Sequence, residues 1–584
     1  MVVRRHKGGL LRILWGTWDD FWQETSISGA SNAGKAQGLP YIRRLCWMAI
    51  FATFFALTIF NVAKQFVEFY HYPVNYEVYV THKDQVPFPS VTVCNQNRVH
   101  CGNLKTTIDD CMANMNNCWN QESILNTLQY FYTACDASKE YDQKDAAGEG
   151  QANQEANDQD QTQVSSSPKQ RNKRKASKDE SIKPEDMGDV APNTEAENDF
   201  LYKYSSIATP LRAKIGHKFY DFIQSCSFRG RDCLDISYFR FTNDMSYGNC
   251  FTFNTEENDD DPFAGVRKSS MTGPFFGLSL ILNLEQRYYV GNGITQAAGA
   301  RIGVHNVTGQ PLMSERGYDL MPNTQTNLAI QEVNITRLPS PYPSSCMSDF
   351  SETNYTDYVT NMKNVTWPYS LLQCKRACSF SQILIECGCY HPIFLETDAQ
   401  ADWRTCDLSS NSTDYACVEM IMTELDQQNR LCNCNVSCGD IDYELYLSNA
   451  KWPSKQYEDT AASLYGYQNV PSDVPGLSDN LLQVNVYFKT LNVKRVGETA
   501  VYDSLFGSSF VAALGGALSL FLGISLSMVF EVFEFIIDLL LNLGVYCAKG
   551  SYAHDNEGEI QKNILRPWSK GFEYNTPPKV APTE

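Results

Sequence analysis

The sequence predicts an α+β multidomain membrane protein in which two transmembrane helices flank a large, disulfide-rich extracellular domain. Two long stretches without charged residues lie near the two ends of the 584-residue chain. Eighteen of the twenty cysteines and all six N-glycosylation sequons lie between them. Because disulfides and N-glycans form in oxidising, secretory compartments, this pattern places the intervening segment outside the cell.

Composition and motifs exclude several function classes. The chain has 48 Lys and Arg against 67 Asp and Glu, a formal net charge of −19. General nucleic-acid binding needs a basic face that displaces counterions from phosphates, so it is not expected. A mean hydropathy of −0.35 does not fit a transporter with many spans. An enzyme is not expected either, because the sequence has no HExxH motif, Walker A loop or G-x-S-x-G elbow.

The first apolar stretch, residues 45–63, has nineteen residues without a charge. As a helix it would be about 28 Å long, enough to cross a hydrocarbon core of about 30 Å. No small-residue cleavage site follows the basic N-terminal residues, so we expect this stretch to act as both signal and anchor. We assign residues 1–44 to a cytoplasmic N-terminus and residues 45–67 to the first transmembrane helix.

The second apolar stretch, residues 508–543, is assigned to a second transmembrane helix. Residues 510–543 would measure about 51 Å as one helix, so this span must tilt, break or project into the cytoplasm. Basic residues precede the first span and follow the second. The positive-inside rule therefore places both termini in the cytoplasm of a multi-pass plasma membrane protein, with residues 68–507 outside and 544–584 inside.

Three carboxylates, Glu531, Glu534 and Asp538, are spaced to share one helical face within or just after the second span. A charge facing lipid costs about 2.5–3.5 kcal/mol, so this face must meet water, a partner or an ion. Upstream, Gly523, Ile524 and Ser525 could break the helix and expose carbonyls to a narrow aqueous path. The competing interpretation is a cytoplasmic helix surface. One helix cannot enclose a path, so a pore requires an oligomer.

The outer segment reads as mixed α and β structure. Residues 142–199 contain no Cys, Trp, Tyr or Phe and are predicted to be a disordered insertion. The basic run at 171–174 fits a furin-type pattern, although a solvated basic run is the favoured interpretation. Strands are predicted at 276–285 and 481–493, and helices at 122–136, 210–226 and 418–432.

Residues 346–438 form a cysteine-rich region. Its Cx3C and CxC spacings are compatible with zinc, but a disulfide ladder is favoured in a glycosylated, oxidising segment. Such bridges would stiffen a rod able to carry force. The sequons that indicate this compartment are Asn306, Asn334, Asn354, Asn364, Asn411 and Asn435.

Several segments, in chain order, resemble one known family. They are 88–95 (FPSVTVCN), 248–254 (GNCFTFN), 277–280 (GLSL), the thumb-like cysteine pattern, and 514–516 (LGG) followed by 523–525 (GIS). Together they resemble the DEG/ENaC family of trimeric sodium channels, and the whole is most similar to invertebrate FMRFamide-gated channels. The resemblance implies a homotrimer with palm, knuckle, β-ball, finger and thumb subdomains, the 142–199 insertion lying in the finger and the 346–438 region forming the thumb.

The resemblance also implies a disulfide plan. Four further cysteines would form two more bridges in the finger, and their pairing is left open: Cys101, Cys111, Cys118 and Cys135. The implied pairs are Cys94–Cys250, Cys226–Cys233, Cys346–Cys438, Cys374–Cys434, Cys378–Cys432, Cys387–Cys417 and Cys389–Cys406.

Pore roles follow from the same resemblance. Gly523, Ile524 and Ser525 would form the selectivity filter for Na+, the permeant ion, since no cofactor or metal is expected. Acidic rings would be formed by Glu531 and Glu534, with Asp538 on the same face. The outer pore, where an amiloride-like blocker would bind, would include Ala512, Ala513, Gly515 and Gly516.

Gating roles follow too, with two departures from the family pattern. Leu491 and Asn492 resemble a palm linker, and Tyr72 and Tyr342 the aromatic pair of the wrist, where the second position is often Trp. The family's His-Gly before the first span is here Ser28-Gly29, so no histidine ring is present at this position. Acid-sensing members carry His after Tyr-Pro, whereas Val74 follows here.

The expected stimulus is an extracellular amidated neuropeptide of FMRFamide type, whose pocket residues are not assigned. The strongly acidic chain favours such a cationic ligand. Acid, mechanical and constitutive opening are the alternatives within the channel class. A two-span scavenger-type receptor is the alternative from another class, and an ATP-gated channel would need clustered outer lysines. The expected partners are further copies of the chain, the peptide, the blocker and membrane lipid.

Overall fold

The computed structural model describes residues 10–24, 41–113, 122–148, 192–255, 265–291, 294–355, 368–394, 403–428, 430–468, 470, 474–523 and 526–551. The chain forms two units: residues 1–73 with 500–584, and residues 74–499. The helices in the described residues are α1 Leu10–Glu24, α2 Tyr41–Tyr70, α3 Cys101–Ala113, α4 Glu122–Gly148, α5 Pro192–Ser205, α6 Thr209–Ile215, α7 Phe219–Phe222, α8 Met313–Arg316, α9 Leu371–Cys387, α10 Thr413–Asp426, α11 Lys455–Leu464, α12 Leu477–Asn480, α13 Ser508–Leu522 and α14 Leu526–Ser551.

The strands belong to the unit of residues 74–499, apart from the last residue of the final strand. They are β1 Val74–His82, β2 Val86–Pro87, β3 Ser90–Asn95, β4 Ile223–Phe228, β5 Arg231–Asp232, β6 Phe239–Asp244, β7 Gly248–Phe253, β8 Lys268–Ser269, β9 Leu278–Asn283, β10 Ala300–His305, β11 Tyr318–Leu320, β12 Thr324–Thr336, β13 Gly439–Lys451, β14 Leu481–Phe488 and β15 Asn492–Ala500.

Two sheets build the frame of this unit. The larger has the order β1-β15-β12-β14-β9-β4-β5, with β13 paired to β12. The smaller has the order β11-β10-β3-β7-β6. Strands β3 and β7 are buried along their whole length, and β9 alternates, with Leu278, Leu280 and Leu282 buried. Full burial suits a strand covered on both faces, and alternation suits one covered on a single face. The strand predicted at 276–285 is therefore present.

The segment predicted as one strand at 481–493 is two strands. Both β14 and β15 run parallel to β12, with Phe488 opposite Ile330 and Lys494 opposite Val333. Between these two pairs, the segment that joins β14 to β15 advances six residues while β12 advances three. Residues 489–491 therefore lie outside both strands. Their exclusion places a linker between the two strands, just before Asn492.

The helix predicted at 210–226 is wrong beyond its first turns. Helix α6 ends at Ile215, and Gly216 is extended, with φ −82° and ψ 178°. A Cβ on Gly216 would lie 2.5 Å from the Asn249 side-chain nitrogen, so the chain needs glycine to pass this side chain. Short helix α7 follows, and residues 223–228 then enter the sheet as β4 beside β9.

The prediction of disorder over 142–199 is wrong at both ends of that range. Helix α4 continues to Gly148, and α5 begins at Pro192, whose fixed φ suits a first helical turn. Within α5 and just beyond the predicted insertion, Phe200 is buried against Phe131 of α4, with ring centroids 4.8 Å apart. This aromatic contact gives both helices a reason to order. Residues 149–191, including the basic run at 171–174, lie outside the described residues.

The other predicted helices are present with shifted bounds. The 122–136 prediction lies within α4, and the 418–432 prediction corresponds to α10, which ends at Asp426. In α9, Cys374 and Cys378 are both fully buried, as expected for thiols one helical turn apart.

Disulfides cross-link this unit at many points, and no described cysteine of residues 74–499 is free. Cys111 is also bridged, while Cys118 lies outside the described residues. The implied pairs are all bonded, and the structure adds one finger pair: Cys94–Cys250, Cys226–Cys233, Cys346–Cys438, Cys374–Cys434, Cys378–Cys432, Cys387–Cys417, Cys389–Cys406 and Cys101–Cys135.

Glycosylation sequons differ in their exposure. Asn354 and Asn411 are exposed, whereas Asn306 and Asn334 are half-buried. The half-buried Asn435 donates its side-chain amide to the Ser345 carbonyl, at 2.9 Å. Glycan addition at Asn435 would replace one hydrogen of this packed amide, so the exposed pair is more accessible for modification. Asn364 lies outside the described residues.

In the other unit, α2 has an apolar part, Leu45–Tyr70, that is long enough to cross a membrane. It is the one such helix among the described residues, by length and composition alone. The prediction of a first span at 45–67 falls inside it.

Substitution of Gly277 by Ala is expected to destabilise the larger sheet. A Cβ there would lie 2.1 Å from the Val486 carbonyl oxygen, so β9 and β14 would have to separate. Overpacking of this kind costs about 1–3 kcal/mol, which should lower the thermal midpoint of the purified full chain. Gly439→Ala is the control, because open space surrounds that glycine. Equal midpoints for the two variants would contradict this close approach.

Candidate pore segment

The second apolar segment is interrupted at a glycine. Helix α13 ends at Leu522, and the next residue, Gly523, adopts a left-handed conformation with φ 65° and ψ 21°. Its N–H donates to the Ser519 carbonyl at 3.0 Å. Glycine is the residue that adopts this conformation without steric cost, so the sequence itself places the break here. The next helix, α14, begins at Leu526, and Ile524 and Ser525 lie outside the described residues.

The predicted second span, 508–543, is thus divided between two helices. The fifteen residues of α13 measure about 22 Å, less than a hydrocarbon core of about 30 Å. A break, one of the possibilities that the sequence left open, is present.

Aromatic packing holds α13 against α2. Phe510 of α13 is fully buried, and its ring centroid lies 4.8 Å from Phe69 and 5.3 Å from Phe66. Tyr502, ahead of α13, packs on the same ring at 5.4 Å. Aromatic pairs of this kind contribute about 0.5–1.5 kcal/mol each beyond their burial, so they fix where α13 begins.

A polar contact between the same two helices escaped the sequence analysis. The side-chain nitrogen of Gln65 donates to the Ala513 carbonyl at 3.0 Å, while its oxygen is buried without a hydrogen-bond partner. An amide near the end of an apolar span is itself a signal, because polar groups in such helices are costly and usually functional. Gln65 therefore joins α2 to the outer-pore position predicted at Ala512 and Ala513.

The glycine pair of α13 faces open space. A Cβ built on Gly515 or Gly516 meets no atom within 4 Å. Small residues on a helix face let another helix approach closely. This face is therefore free to receive a neighbour.

The three carboxylates lie along α14. Glu534 is exposed, and Glu531 and Asp538 are half-buried. One Asp538 carboxylate oxygen is buried with no hydrogen-bond partner. A buried carboxylate oxygen without a donor is costly, so it calls for water or a cation as a partner.

Helix α1, which the sequence analysis did not predict, packs against α14. Phe21 lies 4.7 Å from Phe535 between ring centroids, and Asn542 donates to the Thr17 hydroxyl at 3.4 Å. The signal was available as aromatic residues at 15, 18 and 21, a helical spacing within the predicted N-terminal segment. The predicted gating pair Ser28 and Gly29 lies outside the described residues.

The predicted palm linker is held by several bonds. The Leu491 carbonyl accepts the Lys83 backbone N–H at 3.4 Å, and the Asn492 carbonyl accepts the Gln331 side-chain amide at 3.2 Å. The His82 ring donates to the Asn492 side-chain oxygen at 2.9 Å. The linker is therefore fastened to β1 and β12 on both sides.

The two tyrosines predicted for the wrist belong to different units. Tyr72 has a left-handed φ of 50° and donates its N–H to the Phe69 carbonyl at 3.1 Å, ending α2. Tyr342 is half-buried in the loop 337–346.

A cluster of three buried groups, His100, His217 and Glu285, is a candidate metal centre. Their possible ligand atoms all lie within 4.8 Å of one another. Glu285 approaches the His217 Nδ1 at 3.1 Å and the His100 Nε2 at 3.4 Å.

The second nitrogen of each ring argues against a metal. A metal-bound histidine normally donates its other N–H to an acceptor. Here His100 Nδ1 accepts the Asn103 backbone N–H at 3.0 Å, and His217 Nε2 faces the Asn97 amide nitrogen at 3.1 Å. That amide cannot be flipped, because Asn97 Oδ1 accepts the Val290 N–H. Both rings therefore carry their proton towards Glu285, and the cluster fits a hydrogen-bonded triad.

The triad holds an ionised carboxylate between neutral rings. Burial lowers the pKa of His217, against the opposing effect of its bond to Glu285. Burial by itself would raise the pKa of Glu285, but the bonds from His100 and His217 outweigh it and lower that pKa to about 2. The triad ties the segment after β3 to the segments before α7 and after β9.

A broken apolar helix followed by a carboxylate-bearing one, in a chain with a large disulfide-rich domain, fits a membrane channel. Comparison with known proteins agrees. The family model described as "Amiloride-sensitive sodium channel" matches residues 21–535. This chain belongs to that family of ion channels, the DEG/ENaC family, and its disulfide-rich domain is the extracellular domain of that family.

Relatives come from several branches of the family. The chain is 24% identical to the epithelial sodium channel subunit alpha of Xenopus laevis, over 92% of this chain and 84% of that protein. It is 28% identical to degenerin del-1 of Caenorhabditis elegans, over 61% of this chain and 50% of that protein. It is 26% identical to acid-sensing ion channel 4-B of Danio rerio, over 56% and 54%. The scavenger-type receptor is set aside by this membership.

The triad predicts acid-dependent stability. Because the pKa of His217 is lower in the folded chain, its contribution is complete above the unfolded value of about 6.5 and is lost as pH falls through its folded pKa. The Glu285 contribution is lost below about 4.5, towards pH 2. His217→Gln should flatten the decline of the unfolding free energy between pH 7 and 5 by up to about 1.4 kcal/mol per pH unit.

Denaturant unfolding of the full chain in detergent measures this slope. His71→Gln, which removes an exposed ring, is the control and should leave the slope unchanged. A wild-type slope in His217→Gln would contradict the triad.

Gln65→Leu is expected to change the resting balance between closed and open states. It removes the amide bond to Ala513, and such bonds contribute about 0.6 kcal/mol, or about 2.7-fold in an equilibrium. Asn61→Leu is the control, because Asn61 donates to the Leu57 carbonyl within α2 itself. Unstimulated current relative to surface expression is the measurement. Equal currents in the two variants would contradict a gating role for the contact.

Proposed function

We propose that the chain forms a sodium-selective, amiloride-sensitive cation channel of the plasma membrane, opened by an extracellular FMRFamide-like neuropeptide. Three copies would assemble, each crossing the membrane twice with both termini in the cytoplasm, through α2 and through α13 with α14. The observation that carries conduction is the helix break at Gly523 followed by the carboxylate face of Glu531, Glu534 and Asp538. Gly523, Ile524 and Ser525 would select Na+, and the carboxylates would concentrate it.

Unpartnered surfaces of the single chain support assembly. Strand β1 is a sheet edge, and its Tyr76, Val78 and Val80 are each more than half exposed. Exposed apolar side chains on a strand edge are a liability unless another chain covers them. The open face at Gly515 and Gly516 adds a second such surface.

Peptide gating is supported by charge and by resemblance. The net charge of −19 favours a cationic ligand, and the sequence resembles peptide-gated channels. Val74 after Pro73, where acid-sensing members carry His, counts against acid. Acid, force and constitutive opening remain the alternatives, and the named relatives include an acid-sensing channel and a degenerin.

The gating proposal is tested by voltage clamp of cells that express this chain alone. A panel of amidated neuropeptides, acid and membrane stretch is applied in turn. We expect an amiloride-blocked sodium current with an FMRFamide-like peptide. Current with acid or stretch but with none of the peptides would refute peptide gating and leave the channel.

Conduction is tested by Glu531→Gln and Glu534→Gln. Loss of charge should lower the single-channel conductance for Na+ severalfold at low salt, because acidic rings raise the local cation concentration. Glu458→Gln, on the exposed surface of α11, is the matched control. Unchanged conductance in both pore variants would mean that these carboxylates do not face the ion path.

A further inference from the structure

Residues 337–438, here called the cysteine-rich lobe, are inserted between two strands of the larger sheet, and the chain leaves and re-enters the sheet at adjacent positions. Strand β12 ends at Thr336 and β13 begins at Gly439, and these two residues are paired directly. The two ends of the lobe are therefore held together by the pairing of β12 with β13. On the other side of β12, β15 runs parallel, and its last partner pair is Thr336 with Gly497.

The next residue of β15 is Glu498, and its side chain binds the residues that follow β12. Its carboxylate accepts the Leu338 backbone N–H at 3.0 Å and also the Ser344 hydroxyl. Both donors belong to the loop 337–346, at the start of the lobe. A carboxylate that accepts two hydrogen bonds makes stronger contacts than neutral groups would, so one side chain holds both arms of the loop.

The loop is stiff and firmly attached to the lobe. Pro339, Pro341 and Pro343 occupy alternate positions and fix φ at each. Arg337 donates its backbone N–H to the Cys438 carbonyl at 2.8 Å and its guanidinium to the Ser437 carbonyl at 2.9 Å. The Cys346–Cys438 disulfide closes the far end. A displacement of the lobe base must therefore displace the loop.

We propose that Glu498 is a positioning residue that couples the cysteine-rich lobe to the pore segment. The coupling passes from the loop through the Glu498 carboxylate to β15, and from β15 along residues 500–507 to α13. Tyr342 lies between Leu338 and Ser344 in the sequence, so the same stiff loop carries the predicted wrist tyrosine and the two donors to Glu498. This inference rests on the proposed channel function, since it assigns a route by which the lobe controls the pore.

Substitutions at Glu498 separate coupling from folding. Glu498→Gln keeps an oxygen for the Leu338 N–H and gains an amide that can donate to the Ser344 hydroxyl, so it should rescue the contact. Glu498→Ala removes both bonds, and Ser344→Ala removes one. Glu444→Gln is the matched control, because Glu444 of β13 also binds β15, through Lys494 at 2.6 Å, but does not touch the loop.

The experiment applies FMRFamide at increasing concentrations to cells that express the full chain and measures the current by voltage clamp, normalised to surface labelling. Glu498→Ala should shift the half-maximal stimulus by about 2- to 30-fold, the range for residues that carry coupling between sites. Ser344→Ala should shift it in the same direction by less, and the double variant by less than the sum of the two. Glu444→Gln should respond like wild type, and Glu498→Gln should shift the response less than Glu498→Ala does.

The outcomes are distinguishable. Wild-type responses in Glu498→Ala and Ser344→Ala would overturn the coupling and leave the channel intact. An equal shift in Glu444→Gln would also overturn it, because the effect would then belong to the sheet as a whole. If Glu498→Ala fails to reach the surface, Ser344→Ala and the Gln variant decide the result. A silent wild-type chain overturns the proposed function and this inference together.

Discussion

A carboxylate cannot face lipid cheaply, and this constraint governs the C-terminal part of the chain. Glu531, Glu534 and Asp538 follow directly on an apolar helix, at a cost of about 2.5–3.5 kcal/mol for any one that faced hydrocarbon at mid-membrane. If this segment crosses the membrane as proposed, the chain accommodates them by ending α13 before a left-handed glycine and starting a new helix. The break at Gly523 and the orphaned Asp538 oxygen make sense together if water and sodium share the path.

The larger sheet is the mechanical frame of the extracellular domain. Strand β12 is its centre, since it pairs with β13, β14 and β15. Each partner serves a different purpose: β13 closes the cysteine-rich lobe, β14 buries the core, and β15 leads along the chain to α13. The linker at 489–491 exists because the pairing registers of β14 and β15 with β12 differ by three residues. The residues predicted for gating, Leu491 and Asn492, therefore lie where the sheet is irregular.

The sequence allowed much of this to be predicted, because the strongest features are local. Glycine at 523, alternating leucines in β9 and paired cysteines in α9 each signal their structure within a few residues. What could not be predicted depends on partners far away in the chain. The turn at Gly216 is dictated by Asn249, the ordering of α5 by Phe131, and the division of 481–493 by the register with β12.

The candidate site shows the same limit. The carboxylate spacing on α14 follows from periodicity, whereas the predicted outer-pore and filter positions follow from family resemblance. Gln65 and Glu498 were missed, since each matters only through a contact with a residue more than 100 positions away. The triad of His100, His217 and Glu285 has no local signature at all.

Water access to α14 is the most direct test of the central claim that the second apolar segment lines an ion path. Glu534→Cys would be exposed to a charged, water-soluble thiol reagent while sodium current is recorded, with the unsubstituted chain correcting for Cys46 and Cys547. The account predicts that modification of this cysteine changes the current, and that the modification is faster when the channel is open. A cysteine that never reacts, with sodium current unaffected, would contradict it.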